Sequence, residues 1–360
     1  MYINYLKKKN LYNIMIFTFP IITLFLNLNN YILNIIIFSL AIIPLAIRLG
    51  NITSDLSSTI GEKKGGLIAA TIGNMPEIMM GVWSIKVGLI SMAKAALIGS
   101  IINNMLLVLG ISVILGGVKY KEQKFNKNIA KTNFNMLLLA MASFTIIFSI
   151  SNYTSLSETT LNSIGFKISI ILIGIYLLGL IFSLYTHKNL FILGDVDEEI
   201  EEIRWQDSYK NLAYIIIISV LLYFISEKLI TNISLFTEEK KFSPEFIGIM
   251  LLPILGNIGE NVSAIMCAIK NKVNASLEIA IGSSIQIALF ATPVLITFGY
   301  FLGINMNMIF SSIQMVMLFI AVIMSYIVFV DGKTYWFEGC ILVAIYVIVT
   351  ICYFYVAWNR

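Results

Sequence analysis

The stretch Gly73-Asn74-Met75-Pro76-Glu77 recurs 183 positions later as Gly256-Asn257-Ile258-Gly259-Glu260. At the same offset Gly65 matches Gly248, and Gly99-Ser100 matches Gly282-Ser283. Three landmarks at one spacing, without a gap, mark an internal repeat. Each copy carries a glutamate deep inside a long apolar run, and the reading of the whole chain follows from that.

The 360 residues are 58% hydrophobic and 12% charged. A soluble domain is nearer half apolar and about a quarter charged. A helix needs about 20 mostly apolar residues to cross a bilayer. Eleven candidate stretches occur: 13–28, 31–49, 65–89, 92–117, 131–151, 162–185, 209–233, 244–269, 275–303, 306–330 and 335–357. Backbone in lipid must satisfy its own hydrogen bonds, so these runs read as helices; a β-barrel would show short alternating segments instead. The expected fold is an all-α polytopic membrane protein with about eleven transmembrane helices. Glu77 falls in the third span and Glu260 in the eighth. Five spans per repeat is an odd number, so the second copy enters the membrane upside down. The layout predicted is an N-terminal tail and extra helix (1–30), a first five-helix repeat (31–185), an acidic cytosolic linker (186–208) and a second five-helix repeat (209–360). Inverted repeats with a site near the midplane are a common plan among secondary transporters.

Basic residues set the orientation, because cytoplasmic loops collect Lys and Arg. With the N-terminus inside, the cytosolic loops hold Lys7, Lys8, Lys9, Arg48, Lys63, Lys64, Lys119, Lys121, Lys124, Lys127, Lys131, Lys188, Arg204, Lys210, Lys270, Lys272 and Lys333. That leaves Lys86, Lys94, Lys167, Lys228, Lys240, Lys241 and Arg360 for the other side. The net charge of +4 is therefore topology rather than a nucleic-acid patch. A multi-pass protein of the cell membrane, N-terminus cytoplasmic, is expected. The run after Lys7–Lys9 has no small-residue cleavage site and reads as a retained helix, not a signal peptide.

Glu77 and Glu260 carry the chemistry. Glu245, Glu278 and Glu338 lie near predicted helix starts, where the helix dipole and interfacial water account for them. The deep pair has no such account. A charge at the bilayer centre costs about 3 kcal/mol by conservative scales, so such residues normally face a polar cavity. The neighbouring groups suit a hard cation, which takes six to eight oxygens. Asn74, Asn257, Ser100, Asn103, Ser283, Ser284 and Gln286 add amide and hydroxyl oxygens, with Gln286 at the repeat position of Asn103. Gly73, Pro76, Gly256 and Gly259 weaken the helix, so the carbonyls of Ile72, Gly73 and Gly256 become candidate ligands. Each Ser or Asn alone is as readily a packing hydrogen bond. One histidine, His187, and three scattered cysteines in apolar runs cannot form a zinc cluster. With no P-loop or nucleophile motif in the sequence, no cofactor and no enzymatic activity are expected, and an ion gradient is the expected driving force.

At these residues the sequence resembles the Ca²⁺/cation antiporter superfamily, most closely its Ca²⁺/H⁺ exchanger (CAX) branch. The first repeat is similar to the pattern G-N-A-T-E followed by G-S-x-x-S-N-L-L-L-V-L-G, read here as Gly73–Glu77 and Gly99–Gly110. The second resembles P-I-x-G-N-A-A-E-H and G-S-x-x-Q-I, read here as Pro253–Asn261 and Gly282–Ile287. Asn261 replaces the usual His, and Met75-Pro76 replaces the usual Ala-Thr. The Pro-Glu pair resembles the Na⁺/Ca²⁺ branch. The resemblance implies a carrier whose exchange site holds Glu77 and Glu260, with Ca²⁺ and H⁺ as the transported ions. It leaves a homo-oligomer in the lipid open.

Charge balance gives the same expectation physically. Two carboxylates are neutralised by one Ca²⁺ or by two protons. The empty, doubly charged site is costly in a dry interior and crosses poorly, which enforces exchange. A Na⁺-coupled exchanger and, further off, a cation channel are the rivals.

The linker carries Asp195, Asp197, Glu198, Glu199, Glu201 and Glu202, with Val196, Ile200 and Ile203 at helical spacing. It reads as a solvated acidic linker or as a cytosolic cation-sensing segment. Neutralising its six acids should leave transport intact and shift the cytosolic Ca²⁺ activation curve; an unchanged curve assigns it the linker role.

Overall fold

The computed structural model describes residues 17–26, 28–60, 72–186 and 205–358. The acidic cluster Asp195–Glu202, His187 and Gly65 lie outside the described residues. Apart from one short ribbon, these residues are helical.

A short helix, α1 (17–25), precedes the long α2 (Tyr31–Ile60). Then come α3 (Met75–Lys86), α4 (Ile90–Lys119), α5 (Lys127–Tyr153) and α6 (Glu158–Thr186). The second half begins with α7 (Trp205–Lys240), followed by α8 (Pro244–Gly256), α9 (Ile258–Ile269), α10 (Val273–Phe301), α11 (Ser312–Phe329) and α12 (Trp336–Trp358). Among the described residues, eight helices are long and apolar enough to cross a membrane, or nine if α8 and α9, bent by 63° at Asn257, count as one broken span. This is a polytopic membrane fold. The predicted spans 13–28 and 65–89 both run into undescribed sequence, and the predicted span 306–330 starts late. Its first residues follow a left-handed turn at Gly303 (φ +67°), and α11 begins only where Ser311 and Gln314 form a reciprocal capping box.

Two apolar clusters organise the packing. In the smaller, α2 and α7 lie along each other through a seam with apolar residues every three or four positions. Phe38, Ile42, Leu45, Leu49, Ile52 and Leu56 face Ile215, Ile218, Leu222, Ile225 and Leu229. That periodicity brings one stripe of each helix to the contact. Asn34 closes one end, donating to Asn232 Oδ1 at 2.9 Å. The larger cluster packs α4 and α10 at the centre of α5, α6, α11 and α12. The buried windows of α4 and α10 are 72% buried, against 17% for α6 and 28% for α12, which makes α4 and α10 the inner helices.

Both inner helices change pitch midway. α4 carries a π-helical segment at Asn103–Val108 and α10 one at Ile287–Ala291. Such segments free backbone carbonyls and cluster at functional sites. In α4 the Met105 carbonyl accepts from Ser325 Oγ of α11 at 2.7 Å.

The loops after α4 and α11 meet as a two-stranded antiparallel ribbon, β1 (Gln123–Lys124) against β2 (Lys333–Thr334). Buried Gln123 donates to Ala268 O and to Asn271 Oδ1, both at 3.2 Å, so the ribbon grips the α9–α10 turn. On its exposed face Tyr335 donates to Glu122 at 2.8 Å, and that bond holds the Glu122 carboxyl below the usual carboxylate range. The three cysteines of the apolar runs, Cys267, Cys340 and Cys352, are free; none is fully buried, and Cys352 faces outward from α12.

α4 and α8 approach each other closely. A Cβ on Gly248 would sit 2.5 Å from the Met92 carbonyl, and one on Gly99 would overlap the backbone of Ile249. Pro253 has no N–H to offer the Ile249 carbonyl four residues back, so this carbonyl is turned to α4 instead of being spent within α8. No described atom stands within 4 Å of the Cβ position of Gly282, the repeat counterpart of Gly99. Gly99→Ala should therefore lower the Tm of the detergent-solubilised protein, by overpacking that costs about 1–3 kcal/mol. Gly282→Ala should leave Tm near wild type. Equal effects from the two substitutions would contradict the asymmetry.

Candidate cation-exchange site

Glu77 and Glu260 occupy corresponding places in α3 and α9. Each helix is twelve residues long, and each glutamate stands in the first turn. The residue before each helix is an asparagine of nearly the same conformation, Asn74 at φ −88°, ψ 11° and Asn257 at φ −97°, ψ 11°. The sequence reading set this deep pair apart from acids at helix starts. The structure corrects that distinction: the span breaks at Asn257, and α3 opens at Met75 after a turn at Gly73–Asn74, so a helix start is created at depth. The N-terminal end of a helix favours negative charge, and here it does so within the bundle. Pro76 likewise is not an interior breaker. It sits in the first turn of α3, where its missing N–H has no helical partner to lose.

Neither asparagine caps its own helix with its side chain. Asn74 Nδ2 donates to Gln286 Oε1 of α10 at 2.6 Å, and Asn257 Nδ2 donates to Ser100 Oγ of α4 at 3.3 Å. Ser283 Oγ of α10 donates to Asn257 Oδ1 at 3.0 Å, and Ser283 also reaches the Glu260 carboxylate. Each break is thus tied to an inner helix by a buried polar bond. Asn257 joins α9 to both α4 and α10.

The two carboxylates lie close enough to repel when both are charged. Glu77 is 8% exposed, and its side chain lies against Gly256, where a Cβ would come 2.8 Å from Cδ and 2.9 Å from Oε1. Only glycine leaves room for the carboxylate there. Among the described residues, buried Glu77 Oε2, Glu260 Oε2 and Asn103 Oδ1 accept no hydrogen bond. Three buried oxygen acceptors without donors are what an oxygen-seeking cation or a proton would satisfy. A narrow cavity lined by Glu77, Met80, Ala96, Ser100, Leu252 and Leu295 reaches the site between α3, α4, α8 and α10.

The structure thus brings together Glu77, Glu260, Asn74, Asn257, Ser100, Ser283 and Gln286. Asn103 begins the π segment of α4. Ser284 is turned away, its hydroxyl donating to Ala280 O of its own helix at 3.1 Å. Ile72 and Gly73 lead into the turn before α3, and Gly256 ends α8. The acidic linker lies outside the described residues. Two features escaped the sequence reading. The π segments have no sequence signature beyond their place after the Ser100 and Ser283 motifs. Glu278 looked like a helix-start acid, yet it lies beyond the first turn of α10, where no acid stands.

The chain matches the family model described as sodium/calcium exchanger protein over residues 30–185 and 210–355. It is 34% identical over 319 residues to the Ca²⁺/H⁺ antiporter of Aphanothece halophytica, covering 85% of this chain and 86% of that protein. To the Ca²⁺/H⁺ antiporter ChaA of Bacillus subtilis it is 36% identical over 308 residues, covering 85% and 87%. Among solved structures, native YfkE superposes with a TM-score of 0.77 at 31% identity, covering 89% of this chain and 92% of that one. The two matched segments carry one site glutamate each, and on these findings the chain belongs to the sodium/calcium exchanger protein family.

Proposed function

We propose that this chain is a Ca²⁺:H⁺ antiporter, a secondary transporter that works by alternating access with Glu77 and Glu260 as the exchange site. The observation that carries the reading is the pair of carboxylates, each in the first turn of a helix that begins inside the bundle, each with a buried oxygen that finds no donor among the described residues. The names of the relatives at 34–36% identity support it. One Ca²⁺ or two protons neutralise the pair, and the like-charge repulsion of an empty site disfavours its crossing unloaded. Asn74, Asn257, Ser100, Asn103, Ser283 and Gln286 complete the oxygen set or hold the glutamates in place. The carbonyls at Ile72, Gly73 and Gly256 are further candidate ligands.

The proposed architecture is one N-terminal helix and two inverted five-helix repeats, 31–185 and 209–360, joined by the acidic linker, with the N-terminus cytoplasmic. Its support is the constant offset of 183 between matched elements: α3 with α9, and the starts of α4 and α10. In that frame the Gly99–Ile249 contact seals the mouth on the α4 side, and the open space at Gly282 belongs to the mouth on the α10 side. Alternating access exchanges which of the two is packed.

Purified protein in liposomes should take up Ca²⁺ when the lumen is acidic, with no Na⁺ present. Uptake that needs a Na⁺ gradient and ignores pH would assign the chain to Na⁺-coupled exchange. Glu77→Gln and Glu260→Gln should each abolish exchange, since a single remaining carboxylate cannot balance Ca²⁺. Calorimetry in buffers of different ionisation enthalpy should count about two protons released per Ca²⁺ bound by wild type, where both carboxyls begin protonated, and about one for either variant. Full proton release from a single variant would remove that glutamate from the site.

A further inference from the structure

A second cleft, of about 100 Å³, opens between α5, α6 and α10. Its polar lining is Thr132 and Asn133 from α5, Tyr176 and Ser183 from α6, and Glu278 and Gln286 from α10. Gln286 is the residue that accepts from Asn74 at the break before α3. Glu278 lies two turns away on the same helix, about 12 Å along its axis. The cleft therefore runs from a carboxylate near one end of α10 to the polar shell of the exchange site.

Glu278 is not idle packing. Asn133 Nδ2 donates to its Oε2 at 3.0 Å. Among the described residues no Lys or Arg pairs with it. It is a fixed acceptor on the cleft wall. Its repeat counterpart is Ala95, which is fully buried and packed near Gly248 of α8. Beside Ala95 the first half carries a cation instead. Lys94 Nζ donates to Asn307 Oδ1 at 2.5 Å and Ile309 O at 3.0 Å, and the residue matching Lys94 in the second half is Leu277. The starts of the two inner helices thus differ in charge: a carboxylate at α10, an ammonium at α4.

We propose that Glu278 is a waypoint for the divalent cation, a carboxylate that gathers it into the α5–α6–α10 cleft and sets the apparent affinity on that face alone. This rests on the antiporter reading above. A carboxylate on a low-dielectric wall concentrates cations in a cleft and raises their capture rate, whereas the start of α4 offers no carboxylate, only Lys94 bonded to Asn307 and Ile309. With Glu278 some 12 Å from the shell, the cation it holds stands short of the site.

The test is Ca²⁺ transport in right-side-out and everted vesicles, with wild type assayed first so that absence of any H⁺-coupled uptake disposes of the antiporter reading separately. Glu278→Gln keeps the shape and can still accept from Asn133. It should raise the apparent KM for Ca²⁺ about three- to tenfold on the face where the α9–α10 turn lies, at low ionic strength, with KM on the other face unmoved. The difference should shrink as salt is added. Glu278→Asp, which keeps the charge, should stay close to wild type. KM rising equally on both faces, or an Asp variant as impaired as the Gln variant, would mean that Glu278 acts through packing and would overturn the proposal. So would a changed proton dependence with KM for Ca²⁺ unmoved on both faces, which would make the cleft a proton route.

Discussion

A carboxylate inside an apolar helix bundle must find a favourable potential or a neutralising partner, and this chain places two within reach of each other. The rest of the site follows from that constraint. A continuous helix would present only its side-chain surface to Glu77 or Glu260. Breaking the span brings a helix N-terminus, with its unspent N–H groups, to the depth of each glutamate. The break then exposes backbone that must be held. Asn74 and Asn257 hold it by reaching across to Gln286 and Ser100 instead of capping their own helices. The glycine at 256 leaves the space that the Glu77 carboxylate fills. What the described residues do not supply is a donor for one buried oxygen of each glutamate, and on the proposed reading that deficit is the binding site.

Much of this is legible in the sequence because the governing signal is one of cost. A glutamate within some twenty apolar residues cannot be ignored, and its recurrence at one spacing identifies the pair without any structure. The polar residues at Asn74, Asn257, Ser100, Ser283 and Gln286 stand out for the same reason, and the structure gathers all five. Ser284 is equally polar in sequence, but a serine hydroxyl within a helix can bond the carbonyl four residues back, and which of two adjacent serines does so depends on the rotation of α10 about its axis. The π segments alter that rotation, and their sequences, apolar and unbroken, give no warning. Glu278 was misjudged because a helix boundary was uncertain by a few residues. Moving the start of α10 to Val273 takes the acid out of the first turn and onto the wall of a cleft.

The pairing of elements across the two halves also explains why the interior is locally dissimilar. α4 and α10 have matching starts and matching serines, yet Gly99 is buried under the backbone of α8 while Gly282 meets no described atom. Two halves of one chain, alike in sequence at the site, need not be alike in packing at one moment. In a transporter with two inverted repeats, alternating access amounts to exchange of the two packings. A glycine at both positions is what such an exchange requires, because each must accept a crossing backbone in one of the two states.

Unlike charges at the two mouths do not set the direction of net transport. At equilibrium the exchange ratio is fixed by the ion gradients and the stoichiometry, and no residue alters it. A carboxylate at one mouth and an ammonium at the other alter the rates of arrival and departure, and hence the concentration at which each face saturates. On the proposed reading capture is hastened where Glu278 stands, and the start of α4 offers no such carboxylate. On the proposed reading the central pair cannot make this distinction, since Glu77 and Glu260 would meet the cation in both states and bind it against the same two protons. The selectivity of exchange therefore belongs to the breaks in α3 and α9, and its asymmetry to the ends of α4 and α10. The first is shared by the two halves. The second lies where Ala95 and Glu278, and Lys94 and Leu277, have diverged.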